Sequence, residues 1–119
     1  MKKSKSSQPT KWYQQLDQRA VKEAFEDATV DAYGEDEKLS CLFYSIAESM
    51  AFPWSGCVLG ETVTVVGAEM PDSDRFGMDL VFEKNDKQPR IEALSVEMLL
   101  PYPEGHLYLA AHLLWKERA

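Results

Sequence analysis

The chain has 119 residues, 45% of them hydrophobic and 28% charged, enough for one domain with one core and not for two. Twenty acidic residues against 13 basic ones give a net charge of −7, which repels nucleic acid and anionic membrane from most of the surface. Lys2, Lys3, Lys5 and Lys11 precede every carboxylate, so residues 12–119 carry 9 basic against 20 acidic side chains, a net −11.

The opening Lys/Ser/Gln/Pro segment has no hydrophobic periodicity and reads as a disordered basic tail over residues 1–11, ahead of a single domain over 12–119. No apolar stretch follows its lysines, so it reads as neither a secretory signal nor a membrane anchor, and a cytoplasmic location is expected. Val21, Ala24, Phe25, Ala28 and Ala32 recur at helical spacing and predict a first helix from Asp17 to about Tyr33. Gly34 is expected to turn left-handed at its end. Leu39, Leu42, Phe43, Ile46 and Met50 then predict a second helix, ending before Phe52-Pro53.

Beyond Pro53 the pattern becomes β. WSGCVLGETVTVVGAEM predicts two strands around Gly60, and alternation through Phe76, Met78, Leu80 and Phe82 predicts a third. After a KNDKQP turn, RIEAL reads as a further strand, SVEML as a helical turn, and Glu104 to Arg118 as a closing helix whose core face is Leu107, Tyr108, Ala111, Leu114 and Trp115. Strands this short, joined by tight turns, predict a small four- or five-stranded barrel flanked by two N-terminal helices and one C-terminal helix, an α+β fold.

No phosphate loop, HExxH motif or nucleophile elbow occurs, so an enzyme is not expected. Cys41 and Cys57 lack the spacing of a zinc or disulfide framework. His106 and His112, six apart, point to different faces of the closing helix and read as surface or boundary residues. The chemistry is left to the carboxylates. Glu23, Glu26, Asp27, Asp31, Glu35, Asp36 and Glu37 fall within fifteen residues without a lysine or arginine among them. At helical spacing Glu23, Asp27 and Asp31 stack and repel, the latter two toward the negative end of the helix dipole, where a cation belongs. Glu35 to Glu37 suit the positive end of the second helix, with Asp36 a possible cap, so the junction reads either as capping or as a hard-cation site. The second cluster, Asp72 to Glu83, matches four positions of an EF-hand loop but puts Phe76 where a ligand is needed, and the β-branched run before it excludes the entering helix. What remains is an acidic turn between strands, with Glu69, Asp72, Ser73 and Asp74 close together.

The segment VDAYGEDEKLSCLFYSIAESMAFPWSGCVLGETVTVVG resembles the small non-EF-hand calcium-binding proteins of bacteria. The shared elements are DAY at Asp31 to Tyr33, Glu37, the FPW stretch, the Gly60 to Gly67 hairpin and an aromatic-rich closing helix. The resemblance implies a helix-flanked barrel of Src-homology type that binds calcium through surface carboxylates and acts in calcium sequestration and cell differentiation. The expected calcium ligands are Asp27, Asp31, Glu35, Asp36 and Glu37 at the helix junction, and Asp72, Asp74 and Asp79 at the barrel turn. The competing expectation is an acidic interaction module that docks a basic partner without metal.

Overall fold

The computed structural model describes residues 11–71 and 77–118. Residues 1–10 of the expected tail and two of the expected ligands, Asp72 and Asp74, lie outside them. The chain enters the core at once: a 3-10 turn over Trp12–Gln15 buries Trp12 and Tyr13. The Tyr13 hydroxyl donates to Glu117 Oε1 at 2.5 Å, tying the start of the domain to its last helix. Burial and that carboxylate raise the Tyr13 phenol above its ordinary range.

Helix α1 spans Gln18–Ala28, with the Asp17 carboxylate accepting from the Arg19 N–H as its N-cap. It stops five residues short of the predicted Tyr33. The Thr29 hydroxyl and N–H both bond to the Phe25 carbonyl, at 2.7 and 3.0 Å, and two consecutive β-branched residues, Thr29 and Val30, disfavour another turn. Asp31 is therefore off the helix, and the predicted stack with Asp27 does not form. Gly34 does not turn left-handed either: at φ −154° it is the extended N-cap of α2, Glu35–Ser49, and provides no side-chain cap. Asp36 lies inside the first turn instead of capping it. The expected stripe is buried, with Leu39, Leu42 and Ile46 facing the core.

Five antiparallel strands follow: β1 Trp54–Val58, β2 Glu61–Glu69, β3 Asp79–Glu83, β4 Arg90–Glu92 and β5 Glu97–Met98. Positive φ at Leu59 and Gly60 closes the β1–β2 hairpin, as predicted around Gly60. Asn85 and Asp86 do the same between β3 and β4. The predicted helical turn at Ser95 to Leu99 is displaced. Ala93–Ser95 forms the 3-10 turn, and Glu97–Met98 pairs with β1.

Sheet order is β4-β3-β2-β1-β5, so β4 and β5 lie at opposite edges of an open sheet. The closed barrel expected from the short strands is not formed. Closure needs those two edges to pair, and they are only three and two residues long.

Helix α3, His106–Arg118, differs most from expectation. Leu109, Ala110, Ala111, His112 and Leu113 are buried in succession, whereas Leu107, Tyr108, Leu114 and Trp115 are half-buried. Packing against α1, α2 and the Trp12 turn covers the helix from several sides, which erases the one-sided stripe. His112, expected near the surface, is fully buried, and neither ring nitrogen has a hydrogen-bond partner. Burial first, and the neighbouring Lys116 charge second, lower its pKa from 6.5 to about 4.

Candidate functional site

Continuity of the chain makes the helix-junction acids neighbours, but their side chains do not converge. Asp27 accepts a hydrogen bond from the Tyr108 hydroxyl at 3.0 Å, on the side of α1 that faces α3. That bond, with burial and the carboxylate charge behind it, raises the Tyr108 pKa. Asp31 is exposed in the connection after α1. Glu35, Asp36 and Glu37 are exposed in the first turn of α2, where they complement the positive end of the helix. Among the described residues no three Asp, Glu, His or Cys side chains form a group able to hold a metal ion. The junction is an acidic surface, and its α2 part lies at the positive end of that helix without supplying a side-chain cap.

The sheet assembles a different acidic feature. Asp79 is directly opposite Glu69 on β2 and opposite Glu92 on β4. Residues in register across neighbouring strands share a face, with Cβ atoms roughly 5 Å apart, so these three carboxylates form a row across three strands. Asp79, at its centre, is buried. The outer two have cationic neighbours: Arg90 lies 3.8 Å from Glu69, and Lys116 reaches Glu92 at 3.2 Å from α3. Glu69 and Asp79 also flank the connection that carries Asp72 and Asp74, since one ends β2 and the other begins β3. β2 runs through the region where an EF-hand would need its entering helix, as the β-branched sequence predicted.

Glu92 is not among the ligands expected from the sequence. It is thirteen positions from Asp79 in sequence, and only the β3–β4 register makes them neighbours. A register argument built outward from the KNDKQP turn is the signal that could have found it. Glu83, at the far end of β3, is exposed and opposite Thr64, away from the row.

No protein-family model and no curated protein matches this sequence. The fold, however, is shared with solved structures. One is the crystal structure of Anabaena CcbP, with a TM-score of 0.65 at 18% identity, covering 86% of this chain and 92% of that one. Another is described as a calcium binding protein in the calcium-binding form, with a TM-score of 0.66 at 18% identity, covering 92% of this chain and 97% of that one. The fold is thus shared with the cyanobacterial calcium-binding protein, which this chain resembles over most of its length.

Proposed function

We propose that this chain is a calcium-binding protein that buffers or sequesters cytoplasmic calcium and is not an enzyme. The observation that carries the reading is the fold shared with a protein described as calcium-binding in its calcium-binding form. The acidic residues support it. Calcium accepts six to eight oxygens in loose geometry and suits carboxylates on separate elements, whereas magnesium holds its water and requires a tight octahedron. Of the residues named from sequence, Asp79 has the strongest setting, with Glu69 and Glu92 beside it in register and Asp72 and Asp74 in the connection leading to it. Asp27, Asp31, Glu35, Asp36 and Glu37 form the second candidate region. A part in calcium-dependent differentiation is the cellular role that this reading implies.

Calorimetric titration of metal-free protein with calcium tests the reading. Saturable heat at low stoichiometry, surviving physiological salt and magnesium, is expected. Heat no larger than that from magnesium at matched ionic strength would overturn it, because diffuse attraction to a −11 surface would then account for the whole signal.

A further inference from the structure

A groove of about 540 Å³ runs between α1 and the segment leading into α3. Three carboxylates line it, Glu23 and Asp27 from α1 and Glu104 from the loop, together with three rings, Tyr102, His106 and Tyr108. No lysine or arginine among the described residues lines it. Local structure holds each part in place. Gly105, at φ +86°, lies so close to the end of α2 that a Cβ there would stand 2.7 Å from the Met50 backbone. The Ala51 N–H donates to the Glu104 carbonyl at 3.0 Å, fastening the loop to the same point. Tyr102 and His106 lie 5.3 Å apart with their planes 35° from parallel, and Trp12 backs Tyr102 at 5.6 Å. The Tyr108 hydroxyl, donating to Asp27, fixes a ring and a carboxylate relative to each other.

These features select one class of ligand. An anion is disfavoured by three carboxylates with no lysine or arginine facing them among the described residues. A bare metal ion needs donors converging within its coordination shell, and no such group exists among the described residues. A cation that is itself several ångströms across, with a flat face for the rings and separate donors for separated carboxylates, meets both conditions. Guanidinium is such a group. It stacks on aromatic faces, forks toward carboxylates and brings an apolar stem, whereas ammonium is a compact, strongly hydrated point charge.

We infer that the groove between α1 and α3 receives an arginine side chain of a basic partner protein, held between the rings of Tyr102 and His106 and the carboxylates of Glu23, Asp27 and Glu104. Asp27 belongs both to this groove and to the second candidate calcium region, so the test is run in chelator, where docking needs no metal and failure of either reading leaves the other standing.

The test titrates the full chain with a short capped arginine-bearing peptide and with its lysine and citrulline counterparts, followed by amide NMR shifts. Saturable shifts confined to residues 20–27 and 102–108 are expected, with the lysine peptide weaker by roughly threefold and the neutral citrulline peptide not binding. The exposed pair of changes Glu23→Gln and Glu104→Gln should weaken the arginine peptide by about tenfold without moving the melting temperature. Equal binding of arginine and lysine peptides, shifts spread over the whole acidic surface, or no effect of the double change would overturn the inference. So would a concentration-dependent dimer that the peptide dissociates, or binding that appears only once the lysine-bearing residues 1–10 are removed. Those outcomes would assign the groove to a second copy or to the chain's own start.

Discussion

Glu35, Asp36 and Glu37 are neighbours because the chain is continuous, whereas Glu69, Asp79 and Glu92 are neighbours because three strands pair. The first group spreads its charges into solvent around a helix turn. The second aligns them on one face, buries the middle one and draws Lys116 across from α3. Density of charge along a sequence is thus a poor guide to density of charge in space. Helical rotation of about 100° per residue separates adjacent side chains, and sheet register unites distant ones.

The largest effect expected lies beneath both regions, in the core they share. His112 has a folded-state pKa of about 4 against an ordinary 6.5, so the unfolded chain takes up its proton first. Its contribution is fully present above pH 6.5 and is lost as pH falls toward 4, a change of ~3 kcal/mol. Urea melts at several pH values should show this loss, and His112→Leu should flatten the profile. A profile unchanged in that variant would shift control of acid stability to the surface carboxylates.

Calcium sharpens the contrast more directly. A hundredfold excess over Kd adds about 2.7 kcal/mol, raising the melting temperature by roughly 10 °C for a domain of this size. Asp72→Asn with Asp74→Asn should abolish more of that shift than Asp31→Asn with Asp36→Asn, because the first pair adjoins carboxylates already held by strands. Thermal melts in chelator, calcium and matched sodium chloride would decide. Equal losses in the two variants would erase the distinction between the regions.

Smaller effects come from the counter-charges. Lys116→Met removes the partner of Glu92 in a partly buried setting and should destabilise the fold by about 1 kcal/mol. Glu92→Gln in the same chain should recover part of that cost in a double-mutant cycle. Glu35→Gln weakens a favourable charge at the start of α2 and should cost about 0.5 kcal/mol. Asp31→Asn, exposed and off the helix, should change stability by no more than a few tenths of a kcal/mol. A large stabilisation there would show that the predicted stack with Asp27 forms after all.

Elements held by local signals were legible in the sequence. The start of α1 at Asp17, the Leu39, Leu42 and Ile46 stripe, and the turns at Gly60 and Asn85-Asp86 all lie where periodicity and turn preferences put them. Alternation of apolar residues is enough to read the strand that carries Asp79. The apolar spacing continues to Ala32, but α1 ends at Ala28, where the Thr29 hydroxyl already satisfies the last turn.

What sequence alone determined here is the three helices, the four longer strands, their order and the acidic character of the surface, since periodicity, turn residues and charge are all set within a few positions along the chain. Tertiary structure decided the remainder. It left the sheet open because its edge strands are too short to pair, buried His112 because helix α3 is covered on several sides, and set Glu92 beside Asp79 because β3 and β4 share a register. Each of these depends on groups distant in sequence, where loop length and packing, not local preference, determine which side chains meet.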